Sequence, residues 1–148
     1  NSKEKMHLMI LDHAAMDFTQ GVLIPAIKTE RGLPRLKMIM ENWLTWYGDH
    51  KEGTCPFVAA GVEYDHKPGV VRDRLNFHIN ALVSSIAKAV EICIEEGHFS
   101  KDVESEQIAF EMYSYMMGSQ IFTKTLLNKD SKKLLEISLN NLYVRYSN

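Results

Sequence analysis

The sequence predicts an all-α fold, and three observations lead to this prediction. Apolar residues recur at helical spacing along nearly the whole chain, whereas strand-like alternation is not evident. Only four prolines and eight glycines interrupt the 148 residues. The composition, 45% hydrophobic and 24% charged, is that of an ordinary globular chain. A length of 148 residues therefore suits one domain with a sizeable core, and the composition excludes a disordered chain or a disulfide scaffold.

Six helices account for the pattern. Asn1 and Glu4 have capping-box spacing at the start of the first helix, and Pro25 should end or kink it. Gly48 is the expected C-cap of the second helix, and Thr54 the expected N-cap of the third. The predicted bounds are about Ser2–Ile24, Pro34–Tyr47, Cys55–Tyr64, Val70–Glu96, Ser105–Leu127 and Ser131–Tyr146.

The fourth helix is the longest, about 40 Å at 1.5 Å per residue. Gly97 is its expected C-cap, and Phe99 is placed to make the accompanying apolar contact. Its apolar stripe follows the 3–4 spacing without a break and consists of Val71, Leu75, His78, Leu82, Ile86, Ala89 and Cys93.

The last two helices are apolar on more than one face, so most of their surface must be covered. One interpretation is that they are packed centrally within a single subunit. We favour the other, a homodimer interface, because C-terminal helices are hard for the rest of a short chain to surround. The predicted interface residues are Met112, Tyr115, Ser119, Ile121, Phe122, Leu135, Leu139 and Leu142.

Charge and targeting signals limit the partners that we expect. The net charge is -2, and the 17 basic residues are scattered rather than gathered into the cationic stripe that DNA binding requires. No signal peptide and no apolar run near the ~20 residues of a membrane helix is evident, so we expect a cytoplasmic chain without a membrane partner. The two cysteines fit a reducing compartment. A start at Asn rather than Met suggests a fragment or a processed chain.

Aromatic residues on the second helix are the strongest ligand-site candidates. Trp and Tyr combine a large apolar body with one polar handle, which suits the wall of a pocket. The alternative is core packing, and a histidine on an apolar face is usually satisfied internally. We expect a flat or elongated, mostly apolar ligand with a polar end, and not a nucleotide, because a phosphate cradle is lacking. The predicted ligand-binding residues are Trp43, Trp46, Tyr47, Phe57, His78 and Leu82, with Tyr64 as a weaker candidate.

Metal and enzyme chemistry have weak support. Two Glu-x-x-His matches, Glu63 with His66 and Glu95 with His98, have the form of a di-iron motif. Both lie at predicted helix ends and not in the middle of a bundle. No phosphate loop, zinc-type cysteine spacing or Ser-His-Asp arrangement is evident. We therefore predict no cofactor, no metal site and no catalytic residue.

Two smaller features have a structural and a functional interpretation. Cys55 lies at a predicted helix N-terminus, where a lowered thiol pKa would favour redox or electrophile sensing, but we favour the other interpretation, a small apolar residue in a bend. Cys93 lies in an apolar stripe and is predicted to be structural. His13 and Asp17, one turn apart, are predicted to be a solvated pair.

The opening residues Asn1–Met6 and several segments from Thr54 to Gly118 resemble one family, the TetR transcriptional regulators. Asn1–Met6 resembles the junction that follows the helix-turn-helix in these proteins. The most specific likeness is to one subfamily of their C-terminal domains, in which Lys67 stands where Arg is common and Val70 where Pro is common. The segments similar to that subfamily are Thr54–Ala60, Glu63–Asp65, Lys67–Asp73, Glu106–Glu111 and, further on, Gly118.

The resemblance spans essentially all 148 residues and implies a single effector-binding and dimerisation domain. It implies a pocket among the first five helices and a homodimer whose last two helices form a four-helix bundle. It also implies that the DNA-binding domain precedes Asn1 and is missing here, so DNA is a partner only through that domain. The expected protein is a regulator, and most simply a repressor. The alternatives are a dimeric binding module without a DNA role and a small helical metalloenzyme.

Overall fold

The computed structural model describes residues 1–49 and 55–148 and confirms the all-α prediction. In the described part of the chain, the one β pairing is an isolated bridge between Phe99 and Ser147. The prediction that Gly48 caps the second helix is wrong, because Gly48 lies inside that helix. Thr54, the predicted N-cap of the third helix, falls outside the described residues. The helices are α1 Ser2–Phe18, α2 Leu33–Asp49, α3 Pro56–Tyr64, α4 Val70–Glu95, α5 Ser105–Lys124 and α6 Ser131–Tyr146.

Two predicted helix caps are confirmed. The Asn1 side chain accepts from the Glu4 amide at 2.8 Å, and the Glu4 carboxylate accepts from the Asn1 amino group at 3.1 Å. At the end of α4, Gly97 has a φ of +78°, which only glycine adopts readily. The Phe99 amide then donates to the Cys93 carbonyl at 3.1 Å, and the Phe99 ring is fully buried. Local chemistry therefore sets both ends as the sequence predicts.

The predicted break at Pro25 takes the form of a widened helix. After α1 the backbone continues as a π-helix over Thr19–Leu23 and a short α-helical segment over Ile24–Ala26. Proline lacks an N–H and its ring crowds the carbonyl four residues before it, so the regular α pattern cannot pass through this point. The Asn42 side chain donates to the Val22 carbonyl at 3.1 Å and satisfies this group.

The chain divides into two compact units. The first comprises Asn1–Thr29 and Lys37–Leu82, and the second comprises Glu30–Leu36 and Val83–Asn148. The core of the first unit includes Leu11, Phe18, Met40, Trp43, Phe57 and Leu75, and that of the second includes Val90, Phe99, Ile108, Met112, Met116 and Leu142.

Helix α4 contributes to both units and needs one comment. By length and composition alone it is long and apolar enough to cross a membrane. The core helix of a globular protein passes the same test, so a single such helix is weak support for a membrane span. Leu75 and Leu82 are buried in the first unit, and Ile86 and Val90 in the second. The most apolar window of 18 residues in α4 is 22% buried in the described structure.

Candidate functional site

The three predicted aromatic residues of α2 do come together, in the core of the first unit. Trp43, Trp46 and Tyr47 are all buried. Phe18 packs edge-to-face on both indoles, with ring centroids 5.2 Å from Trp43 and 5.5 Å from Trp46. Tyr47 lies 5.9 Å and 5.7 Å from the same two rings. The cluster fixes the end of α1 against α2, and a contact between it and a ligand stays a prediction.

His78, the predicted polar contact of the ligand, already has a partner within the protein. Its Nε2 lies 2.7 Å from the Asp12 carboxylate of α1, and its side chain is 12% exposed. Arg74, one turn earlier on α4, donates to both oxygens of the same carboxylate at 2.9 and 2.8 Å. The hydrogen bond from His78, followed by that from Arg74, holds the pKa of Asp12 below its usual value. We call this arrangement the Asp12 link.

The other two predicted ligand residues also lie in the first unit. Phe57 and Leu82 are both buried, and the Phe57 ring lies 6.2 Å from the imidazole of His78. Asp12 and Arg74 were not predicted. The i, i+4 spacing of Arg74 and His78 on one helix was the signal that could have indicated a shared acidic partner.

A cavity of about 210 Å³ lies between α1, α3 and the start of α4. Two of its lining residues, Leu11 and Pro56, are the sequence neighbours of Asp12 and Phe57. The imidazole of His7 and the hydroxyl of Tyr64 hydrogen-bond at 2.5 Å in its wall. Tyr64 was the weaker ligand candidate, whereas His7 was not predicted. The six stronger candidates do not line this cavity, whose apolar wall consists mainly of Ile10, Leu11, Pro56, Ala59, Ala60 and Val71.

Cys55 differs from the reactive thiol that its position at a helix N-terminus suggested. It is the N-cap residue of α3 and is buried. Burial raises the pKa of the thiol and outweighs the lowering by two backbone N–H groups of α3 and by the Tyr47 hydroxyl. Burial also raises the pKa of Cys93 to about 12. Desolvation therefore favours the protonated, unreactive form at both positions.

We expect both thiols to be inert in the folded chain. At pH 8, Cys55 and Cys93 should react with an aromatic disulfide reagent on the order of 100-fold more slowly than in urea, because a buried thiol reacts only after the chain opens locally. The release of the coloured thiolate measures both rates. If one equivalent of thiol reacted quickly in the folded chain, Cys55 would again be a candidate redox or electrophile sensor.

The two Glu-x-x-His matches have other partners. Glu63 forms an ion pair with Lys3 at 3.7 Å, and Glu95 with Arg31 at 2.8 Å. His98 Nδ1 accepts a backbone N–H at 2.9 Å from the residue that begins α2. In the chain as far as it is described, no three His, Cys, Asp or Glu side chains form a group that could hold a metal ion.

The predicted interface residues fall into two groups within the second unit. Ile121 and Phe122 are 51% and 44% exposed, while Tyr115 and Ser119 are partly buried. The other four are core residues that hold α5 and α6 together. Because these four are already buried within one chain, they can pack beneath a contact surface but cannot form most of it. Dimerisation itself stays a prediction. They are Met112, Leu135, Leu139 and Leu142.

A groove of about 240 Å³ lies beside these exposed residues, between α5 and α6. The large apolar side chains of Phe122 and Leu134 line this groove, and small residues make up much of the rest of the lining. We call it the small-residue groove. Its small members are Ser114, Gly118, Ser119, Ser131 and Ser138.

A carboxylate network at the C-terminal end of the second unit was not predicted. The Glu111 carboxylate accepts from Tyr146 at 2.5 Å, Gln107 at 3.2 Å and Tyr115 at 3.4 Å, and it also pairs with Arg145. Burial alone would raise the pKa of Glu111, but the hydrogen bonds and the charge of Arg145 outweigh it and lower this pKa. The network joins α5 to the end of α6.

This network should make the stability of the chain depend on acid. The pKa of Glu111 is lower in the folded than in the unfolded chain, so the unfolded chain binds more protons. The free energy of unfolding therefore decreases as the pH decreases. The loss should begin as the pH drops towards 4.5, the ordinary value, and continue through the lower folded value. Thermal unfolding from pH 6 to pH 3 measures it, with Glu111→Gln expected to flatten the curve. An equally steep curve for Glu111→Gln would assign the acid sensitivity to other carboxylates.

The fold is similar to that of two solved transcriptional regulators. A TetR transcriptional regulator from Chloroflexus aurantiacus J-10-FL superposes with a TM-score of 0.76 at 18% identity, over 90% of this chain and 67% of that chain. A TetR-family regulator from Cytophaga hutchinsonii gives the same TM-score and identity over 93% of this chain and 69% of that one. At this identity the likeness establishes the fold. No curated protein matches the sequence.

The sequence itself matches a family model, described as the tetracyclin repressor-like C-terminal domain, over residues 32–134. That range is well over half of the chain, and it contains the segments between Thr54 and Gly118 that carry the resemblance. This chain therefore belongs to the TetR family of transcriptional regulators, as a C-terminal domain of the tetracyclin repressor-like type.

Proposed function

We propose that residues 1–148 act as the effector-binding and dimerisation domain of a TetR-type repressor. A small, mostly apolar effector binds in the first unit and changes the spacing of two DNA-binding heads. The heads belong to the domain that the resemblance places before α1, and the domain itself has no catalytic role. We also propose a cytoplasmic homodimer that reaches DNA only through these heads.

The observation that carries this proposal is the Asp12 link. In the family that this chain resembles, α1 is the helix that joins the DNA-binding domain to the effector domain. Here the link ties α1 directly to His78, the polar residue of the predicted ligand site. A ligand that competes for His78, or displaces the neighbouring Phe57, changes the partners that Asp12 has. Occupancy of the site is thereby coupled to the position of α1.

Neither His78 nor Phe57 lines the cavity between α1, α3 and α4. Leu11, next to Asp12, and Pro56, next to Phe57, do line it, so this cavity is the proposed entry for such a ligand. It is smaller than the ~300 Å³ of a small drug pocket, so it fits a compact molecule, or the end of a longer one. Its wall is mainly apolar, while His7 and Tyr64 offer a hydrogen-bonding pair to a polar end. This chemistry agrees with the ligand class expected from the sequence.

The mechanism is a shift between two populations of α1. A ligand moves the equilibrium only by the difference between its affinities for the two positions. DNA half-sites have a fixed separation of about 34 Å per helical turn, so a changed spacing of the heads weakens operator binding. A repressor of this type releases its operator when the effector binds.

The test compares two carboxylates of α1 in the intact regulator. Compounds that raise the melting temperature of the 148-residue chain are selected first, because a ligand of the folded state stabilises it. Operator binding by the intact protein is then followed by fluorescence anisotropy, with and without the selected compound. We expect Asp12→Asn to reduce the effect of the compound at least about tenfold, a difference of ~1.4 kcal/mol in coupling.

Asp17→Asn is the matched control, because Asp17 pairs with His13 of its own helix and not with α4. It should keep the full response. An equal loss in both variants would remove the Asp12 link from the mechanism. A helix-turn-helix absent from the gene upstream of Asn1 would instead favour the dimeric binding module without a DNA role.

A further inference from the structure

A group of sulfur and nitrogen donors on α1 has no part in the proposed function. Met6, Met9 and His13 are spaced i, i+3 and i+7, which places them on one face of the helix. All three line one open groove of about 610 Å³ along α1. Met6 is 51% and Met9 72% exposed, so both thioethers are open to solvent. We call these three residues the α1 thioether cluster.

We propose that the α1 thioether cluster binds a soft monovalent metal ion, Cu(I) or Ag(I). Thioether sulfur and imidazole nitrogen are donors that Cu(I) prefers, whereas Mg²⁺ and Ca²⁺ select oxygen ligands. Neighbours at i, i+3 and i, i+4 on a helix already face each other, as Met6 with Met9 and Met9 with His13 do. The unbranched methionine side chains rotate freely enough to bring both sulfurs to one ion.

His13 is already held as a metal-binding histidine usually is. Its Nε2 lies 3.2 Å from the Asp17 carboxylate, one turn further along α1. Metal-bound histidines almost always direct their second ring nitrogen at such a carboxylate, which fixes the ring and its tautomer. Asp17 is therefore a positioning residue, and Nδ1 is the nitrogen that coordinates the ion.

Charge and competition also favour this site. Lys5 and Asp17 are the other charged residues of the groove, and their charges oppose each other, so the groove does not repel a cation. The thiols of Cys55 and Cys93 are stronger soft ligands, but both are buried and held in the protonated form. An ion that reaches the folded chain therefore meets the thioethers first.

The experiment titrates silver nitrate into the chain labelled with ¹³C at its methionine methyl groups. Ag(I) has the same soft chemistry as Cu(I) and needs no reductant. Of the eight methionine signals, those of Met6 and Met9 should shift, and the shift should saturate at one equivalent. Long-range ¹H–¹⁵N spectra should place the ion on Nδ1 of His13. Zinc, added as a harder ion, should leave the methyl signals unchanged.

Substitutions then test each donor. Met6→Leu, Met9→Leu and His13→Gln should each weaken Ag(I) binding by roughly tenfold or more, measured by calorimetry. Leucine is close to methionine in volume, so the fold should survive. Met16→Leu is the matched control, since Met16 is an exposed methionine of the same helix that does not line the groove. Its affinity should be that of the unsubstituted chain.

Four results would overturn the proposal. Absence of any methyl shift with Ag(I) removes the site. Binding that survives Met9→Leu and His13→Gln places the ion elsewhere, as does a loss of free thiol on titration, which would mean that silver reaches the cysteines. An effect of Met16→Leu as large as that of Met6→Leu contradicts the assigned set of ligands.

Discussion

Gly32→Ala should lower the free energy of unfolding by about 2–4 kcal/mol. Gly32 has a φ of +95°, a conformation that costs an L-residue about 1–2 kcal/mol. A Cβ at this position would lie 2.3 Å from Nδ1 and 2.6 Å from Cε1 of His98. The imidazole cannot simply move away, because Nδ1 accepts the Leu33 amide at 2.9 Å. The alanine variant must therefore strain the backbone and break or bend this hydrogen bond.

Urea unfolding followed by circular dichroism measures the loss, with Gly48→Ala as the control. Gly48 lies within α2, where an added Cβ meets no described atom within 4 Å. Alanine should stabilise that helix by about 0.5–1 kcal/mol, since glycine loses more backbone freedom on folding. If Gly32→Ala unfolded at the same urea concentration as the unsubstituted chain, the close approach of Gly32 to His98 would be wrong.

Helix positions could be predicted where strong periodicity meets a clear stop signal. The last helix, Ser131–Tyr146, has the predicted bounds, and α4 ends at Glu95, one residue before its predicted end. Helix α5 ends at Lys124, three residues early, because Leu127 adopts a left-handed φ of +52°. The Asn128 amide then donates to the Phe122 carbonyl at 2.9 Å. Neither glycine nor proline marks that turn, so the sequence carries no local signal for it.

The site was harder to predict than the helices. Periodicity showed that Trp43 and His78 lie on apolar faces, but not which side chains those faces meet. Asp12 and His78 are 66 positions apart, and their hydrogen bond depends on how α1 packs against α4. Tertiary packing also decides whether a helix N-terminus lowers the pKa of a thiol or burial raises it, as burial does at Cys55. Such contacts between distant segments require the structure.

Phe122→Glu should convert a dimer into a monomer. Phe122 stands exposed at the small-residue groove, where a second copy of α5 could approach closely over Gly118 and Ser119. A homodimer interface commonly buries about 2,000 Å² or more, and a central aromatic residue in it carries much of the binding energy. A buried, unpaired carboxylate there should weaken association by about 100-fold or more. Light scattering after gel filtration should change from twice 17.0 kDa to 17.0 kDa.

Val144→Glu is the control that decides whether the groove is the contact surface. Val144 is an exposed apolar residue of α6. It lies nine positions after Leu135, which lines the groove, and this spacing places Val144 on the opposite side of the helix. The Val144→Glu variant should stay dimeric, whereas Leu139→Glu is unsuitable because Leu139 is buried, and an unpaired carboxylate there should destabilise the fold itself. Circular dichroism should show that both glutamate variants at exposed positions remain helical. A monomeric unsubstituted chain at micromolar concentration would contradict the interface, and a monomeric Val144→Glu would move it to the other face of α6.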